Sequence, residues 1–455
     1  MGVYLLIPRR FRNPWILLAS VLFYLLGTGV LAAVAAIMIP LNFLMGQMIS
    51  HFRDHSQKAA KRTLLVAIAT NFAPLFFFKY LLFFNSAIHD TFGVGLIVNV
   101  EAWKFALPLG ISFYTFHFIS YLLDVYKGEV EPERKLNRFI IYIALFPHLI
   151  AGPVVRFAEI KTQLDVRRRK IVSKDVFWGL AIFVIGLAKK TLIADPLGEV
   201  VDMVHANSFE LTTYSAWVAA VCYSFQIYFD FSGYTDMAIG MARMMGFRFP
   251  KNFNRPYMAT SITEFWQRWH MTLSRWFRDY VYIPLGGNRR GSFATYRNLL
   301  IVFVLCALWH GAAYTFLIWG AGHGILLCLE RAKLLKPESF RMGSIPVFIL
   351  VTLLWVPFRA NGIPDLVANL SAMFHLGKSI QIWNEANRAL VDPKTAFLLA
   401  LSFGICLTAH RPFFALRSFA FRHPRLIGLY CVVLYLLSCM SAVDRGFNPF
   451  IYFQF

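Results

Sequence analysis

Two histidines stand where a chain of this composition has little routine use for them. Leu308-Trp309-His310-Gly311 and Trp319-Gly320-Ala321-Gly322-His323-Gly324 lie in apolar stretches almost free of charge. Imidazole titrates near physiological pH, so its neutral form can take a proton from an attacking hydroxyl, as acyl transfer to an alcohol requires. The flanking glycines would let backbone or substrate approach either ring. A plainer reading stays open, because a membrane histidine is more often packed and hydrogen-bonded than catalytic. Neither histidine has neighbours at metal-ligand spacing, and no metal site is expected.

A second group of polar residues falls between 224 and 297. Ser224-Phe225-Gln226-Ile227-Tyr228-Phe229-Asp230-Phe231-Ser232-Gly233-Tyr234-Thr235-Asp236 would place Gln226, Asp230 and Asp236 at membrane depth. Intramembrane carboxylates are costly and usually face a polar cavity. The two aspartates would equally serve to cap a helix starting near Gly233. Further on, Phe265, Trp269, Thr272 or Leu273, and Trp276 recur at helical spacing, with Arg268, Arg275 and Arg278 on or beside the other face. That pattern predicts a helix over 263–282 at the cytoplasmic interface. Leu285-Gly286-Gly287-Asn288-Arg289-Arg290-Gly291 reads first as a basic cytoplasmic turn. Its backbone N–H groups and two guanidiniums could instead hold a phosphate or a pantetheine-linked donor.

The elements that must position these residues are membrane helices. Of 455 residues, 58% are hydrophobic, 17% aromatic and only 15% charged, and the mean hydropathy is +0.55. Soluble domains run near a quarter charged, so the apolar excess here must face lipid. Trp15 to Ile49 carries no charge and is interrupted at Gly27-Thr28-Gly29 and Pro40. Since about 20 apolar residues cross a bilayer, this stretch is two spans, or one span and a partial one. Further apolar runs fall near 63–84, 105–123, 139–154, 176–194, 213–247, 299–330, 345–358, 396–409 and 426–443. The expected fold is all-α and polytopic, with about ten to thirteen transmembrane or re-entrant helices in one integral domain over 1–455 and its catalytic core region at 224–330.

The net charge of +21 does not indicate a nucleic-acid partner, because the basic residues sit in short loops between apolar runs. They include Arg53, Lys58, Lys61 and Arg62, then 167–170, 289–290, 331–341 and 411–425. Lys/Arg excess in short loops marks the cytoplasmic side, so 161–174 and 286–297 are expected there, against anionic headgroups. Six cysteines, Cys222, Cys306, Cys328, Cys406, Cys431 and Cys439, lie in apolar runs without redox or metal spacing and read as free thiols. The apolar piece before Arg9 is too short for a signal peptide, no small-residue cleavage site follows, and the start is expected to be mature. The chain has no Walker loop, dinucleotide fingerprint or internal repeat.

Taken together, these stretches resemble the membrane-bound O-acyltransferase family, in its bacterial polysaccharide-acetylating branch. The resemblance rests on Arg12-Asn13, Leu17-Leu18-Ala19-Ser20 and Phe23-Tyr24, Phe78-Lys79-Tyr80, and Leu107-Pro108-Leu109-Gly110-Ile111-Ser112-Phe113-Tyr114. It continues through Phe146-Pro147-His148-Leu149-Ile150-Ala151-Gly152-Pro153, Tyr228 to Tyr234, Asn252-Phe253, Pro256-Tyr257, and Ser261 to Trp266 with Arg268-Trp269-His270. Trp309-His310-Gly311, Trp355 to Arg359 and Phe450-Ile451-Tyr452-Phe453 complete it over nearly the whole chain.

The resemblance implies a curved helical chamber, with the essential histidine at His310 and a second active-site histidine at His323. The candidates to meet the donor or line its channel are Asp230, Asp236, Asn252, Trp266, His270, Arg275 and Arg289. No bound cofactor is implied; the acyl donor would be acetyl-CoA or another acetyl thioester arriving from the cytoplasm. The acetyl group would pass across a bacterial inner membrane to an extracytoplasmic partner protein that acetylates a polysaccharide of alginate, cellulose or peptidoglycan type. It further implies an apolar segment ahead of Arg12-Asn13, and Glu or Gln where this chain has His117. A related alternative is a D-alanyl transferase for teichoic acid fed by a carrier protein. A non-enzymatic transporter would also fit the broken spans and buried carboxylates, but the missing internal repeat speaks against it.

Overall fold

The computed structural model describes residues 2–97, 106–150, 152–206, 211–335, 343–377, 381–385, 387–407, 423–446 and 448–451. Ala151, Tyr452 and Phe453 of the quoted motifs, and much of the basic loops at 331–341 and 411–425, lie outside the described residues. No strand occurs among the described residues, which form helices and their connections.

The chain separates into two compact units, Met1–Leu180 with Ala238–Pro250, and Ala181–Met237 with Lys251–Phe455. The first contains α1 (Gly2–Leu6), α2 (Arg9–Thr28), α3 (Ala32–His55), α4 (Gln57–Leu75), α5 (Leu81–Phe92), α6 (Ile111–Lys127), α7 (Leu136–Ala144) and α8 (Phe157–Ile160). Two helices contribute to both units: α9 (Ser173–Ala188) and α11 (Thr213–Met244). The second also holds α10 (Asp195–His205), α12 (Ile262–Arg268), α13 (Met271–Phe277), α14 (Gly291–His310), α15 (Tyr314–Arg331), α16 (Ile345–Arg359), α17 (Ile363–Met373), α18 (Asn387–Leu390), α19 (Pro393–Leu407) and α20 (Pro424–Arg445).

Among the described residues, five helical stretches are long and apolar enough to cross a membrane: Arg9–His55, Gln57–Phe92, Ser173–His205, Gly291–His310 and Pro424–Arg445. Two further apolar helices, α16 and α19, run for 15 described residues each. The outer faces are apolar as lipid demands: α2 exposes Leu18, Leu22 and Leu25, and α20 exposes Leu429, Val432 and Leu436. By contrast α6 is buried almost throughout, so the described part of the apolar run near 105–123 contributes core to the first unit and not a lipid-facing span. Asn42 on α3 and Asn71 on α4 exchange side-chain hydrogen bonds of 3.0 and 2.7 Å. Such paired amides join helices where water cannot satisfy them.

Two expectations need correction. The proposed cap at Gly233 does not form, because α11 runs unbroken from Thr213 to Met244 and Asp230 and Asp236 lie inside it. A π-helical turn at Lys189–Ala194 brings consecutive lysines to them instead. Lys190 Nζ lies 2.7 Å from both Asp230 Oδ1 and Asp195 Oδ1, and Lys189 Nζ lies 2.6 Å from Asp236 Oδ2. Asp230 Oδ2 also accepts from the Ile451 backbone N–H at 3.1 Å, tying the end of the chain to α11. Nor is 263–282 one helix. It is α12, a break at Trp269-His270, α13 and a π turn at Arg278–Tyr282.

The charge network gives a first prediction. Removing one partner of a buried ion pair costs about 3–5 kcal/mol, whereas an exposed pair is worth about 0–1. The Asp230 side chain is 2% exposed and the Asp236 side chain 30%. Thermal unfolding in detergent should therefore fall far more for Asp230→Asn than for Asp236→Asn; equal shifts would show that the Lys190 pair carries no special weight.

Candidate active site

Helices α14 and α15 form a close hairpin because α15 carries glycine where they cross. A Cβ on Gly320 would stand 2.5 Å from the Phe303 carbonyl oxygen and 2.6 Å from Ala307 Cβ. The hairpin puts His310 at the last position of α14, beside carbonyls without helical partners that favour positive charge there. Gly311 then leaves the helix in an extended conformation, and a side chain at that position would strike the Phe316 ring.

His310 and His323 flank one indole. The Trp319 ring lies 5.1 Å from His310 and 5.2 Å from His323, centroid to centroid, and both contacts are edge-on. Phe358 closes on His310 at 5.3 Å, and Trp266 on His323 at 5.0 Å. Trp355 joins the box 6.1 Å from Trp319 and 4.9 Å from Trp269. Each such aromatic pair adds about 0.5–1.5 kcal/mol beyond its buried area, so the two imidazoles sit in a rigid surround.

Hydrogen bonding sets His323 apart from His270. Trp266 Nε1–H donates to His323 Nδ1 at 3.3 Å. A neutral imidazole accepting at one nitrogen carries its proton on the other, so His323 presents an Nε2–H. That Nε2 is buried and has no hydrogen-bond partner among the described residues, as is true of Trp319 Nε1. His323 is therefore built to donate. At His270 the order is reversed: its Nδ1 lies 3.1 Å from Asn252 Oδ1, which can only accept, so the Nε2 keeps its lone pair.

His270 is the residue whose placement sequence reasoning missed. It takes a left-handed backbone, φ 41°, rare for a residue with a Cβ. Asn252 enforces it: its carbonyl accepts from Met271 N–H at 2.8 Å, and its Oδ1 from Thr272 Oγ1 at 2.8 Å. The turn points the His270 ring into the core, 6.0 Å from Trp309, next to His310, and 4.7 Å from Phe231.

Of the expected site residues, the structure thus brings together His310, His323 and Trp266, with His270 and Asn252 joined through Trp309. Asp230 and Asp236 belong to the lysine network instead. Arg275 is half-buried on α13, and Arg289 is exposed on the turn after the π segment. In that turn Asn298 Nδ2 donates to the Leu285 and Gly287 carbonyls, at 3.3 and 3.0 Å, pinning the loop to α14. All six cysteines are free thiols.

Comparison with known proteins identifies the family. The family model of membrane-bound O-acyltransferases matches residues 135–335, which include all three histidines. The chain is 39% identical over 487 residues to the probable alginate O-acetylase AlgI of Pseudomonas putida, covering 100% of this chain and 97% of that protein. It is 34% identical over 409 residues to the peptidoglycan O-acetyltransferase of Helicobacter pylori, covering 82% and 76%. The teichoic acid D-alanyltransferase of Bacillus subtilis is 29% identical over 233 residues, 48% of this chain and 58% of that one. The chain therefore belongs to the membrane-bound O-acyltransferase family: it is an acyltransferase of the membrane, and the paired histidines lie in its family region.

Proposed function

We propose that this acyltransferase carries acetyl from a cytoplasmic acetyl thioester, acetyl-CoA or a like donor, to the hydroxyl of an extracytoplasmic polysaccharide. A partner protein at the outer face of a bacterial inner membrane completes the transfer. The observation that carries the reading is the pair of imidazoles fixed on either side of Trp319, one at a helix C-terminus and one offering an N–H. His310 removes the proton as the acceptor oxygen attacks the thioester carbonyl. The carbonyl oxygen gathers negative charge and is met by the His323 Nε2–H. The intermediate then expels the thiolate, which recovers the proton from the His310 imidazolium, leaving an O-acetyl ester and a free thiol. A preorganised donor aimed at developing charge in a dry site is worth more than the same group in water. The water-poor aromatic box supplies that setting.

The acetyl reading stands on a relative matched along the whole chain, whereas the D-alanyl reading stands on one matched over 48% of it. Proteoliposomes holding the protein, with acceptor polymer and partner at the outer face and offered labelled acetyl-CoA or a D-alanyl carrier-protein thioester in parallel, decide between them. Acetyl label on the acceptor hydroxyl, with no alanyl transfer, is the expected result. Transfer of alanine alone would replace this reading with the other.

A further inference from the structure

In the first unit, far along the chain from the histidines, two guanidiniums converge with no carboxylate between them. The Arg12 guanidinium lies over the Tyr4 ring, 5.7 Å from its centroid, and the Arg169 guanidinium over Phe247 at 4.4 Å. Both act on the Tyr4 hydroxyl electrostatically, and that hydroxyl is itself used, donating to the Met245 carbonyl at 2.9 Å. Arg169 is 3% exposed. Its Nη2 donates to Asn13 Oδ1 at 2.8 Å and its Nη1 to the Gln163 carbonyl at 3.3 Å. What remains is the Nε–H of each arginine, buried and without an acceptor among the described residues.

The nearby carboxylates are committed elsewhere. Asp165 is held below the usual carboxylate range by the Arg167 backbone N–H and by Arg138, which lies 3.3 Å away. Asp175 bridges Arg243 at 3.1 Å and Arg248 at 2.6 Å. Neither Arg12 nor Arg169 has an ion pair among the described residues. A buried guanidinium with unused donors and a like charge beside it lacks the anion that would make it affordable.

The geometry points to a binding site for one phosphate oxyanion group held between Arg12 and Arg169. Two guanidiniums supply the charge, and their two Nε–H groups supply donors to phosphate oxygens. Arg12 stands in the first turn of α2, just ahead of the exposed apolar residues Trp15, Leu18 and Leu22. That is the level at which headgroup phosphates meet a helix entering the bilayer. The phosphodiester of an anionic phospholipid is therefore the nearest source; a soluble phosphate compound is the other.

Delipidated full-length protein would be titrated with phosphatidylglycerol, with phosphate-free diacylglycerol and with inorganic phosphate, and binding read by native mass spectrometry. Wild type should hold phosphatidylglycerol at least about tenfold more tightly than diacylglycerol, and Arg12→Gln should lose about that factor, since a hydrogen bond to a charged group is worth that much. Displacement of the lipid by inorganic phosphate would assign the site to a soluble phosphate; retention against it would assign the lipid. Arg169→Gln should lose binding too but also holds the loop through Asn13, so Arg12→Gln, whose neighbours are less dependent on it, is the deciding variant. Equal binding of phosphatidylglycerol by wild type and Arg12→Gln, or no preference for either phosphate compound over diacylglycerol, overturns the site.

Discussion

Replacing His310 with alanine or glutamine should abolish measurable acylation while leaving the protein inserted, monodisperse and at normal level. A positioned general base contributes about a hundred- to ten-thousand-fold in rate. Glutamine keeps a hydrogen-bonding shape but cannot take the proton, so both variants should fall together. The loss should be in kcat, because the proton moves only as the transition state forms. If His310→Gln keeps near wild-type turnover, the base is elsewhere. His270 becomes the next group to test, since its Nδ1 faces Asn252 Oδ1 and its Nε2 keeps the lone pair, whereas His323 offers a proton.

The second large effect belongs to His323. In the role proposed for it, as donor to the acyl oxygen, its loss in His323→Ala should cost about a hundred- to a thousand-fold in kcat, the usual worth of one oxyanion donor. Trp266→Phe keeps the ring packed 5.0 Å from His323 but deletes the N–H that holds its tautomer. It should lower kcat less than His323→Ala, and more than it changes the thermal midpoint. A Trp266→Phe enzyme with full kcat would show that the tautomer is not set by this hydrogen bond, and a His323→Ala enzyme with full kcat would remove the donor role.

Much of this was legible before the fold. Charge-free runs marked the apolar helices because hydropathy is a local property of the chain, but they did not mark α6 as core. His310 and His323 were visible because an imidazole is conspicuous in such runs. What was not legible depended on contacts far apart in sequence. The aromatic spacing from Phe265 to Trp276 is that of one helix, and nothing local marks the break at His270. Asn252 imposes it from 18 residues away, through hydrogen bonds to His270 Nδ1, Met271 and Thr272. Likewise Asp230, three residues before Gly233, could pass for a helix cap, until a π turn 40 residues earlier in the chain offers Lys190 to it. The unused Nε–H donors of Arg12 and Arg169 lay hidden among many other arginines. Only burial separates the ones that need a partner from those that water satisfies.

The central claim is that the two histidines move an acyl group from a thioester on one face of the membrane to a hydroxyl on the other. Sided proteoliposomes test it most directly: labelled acetyl-CoA is supplied at the face bearing 161–174, with the acceptor polymer and partner at the opposite face, and wild type is run beside His310→Gln. Wild type should place label on the enclosed acceptor, and His310→Gln at equal protein none above background. Label transferred equally by both proteins would contradict it.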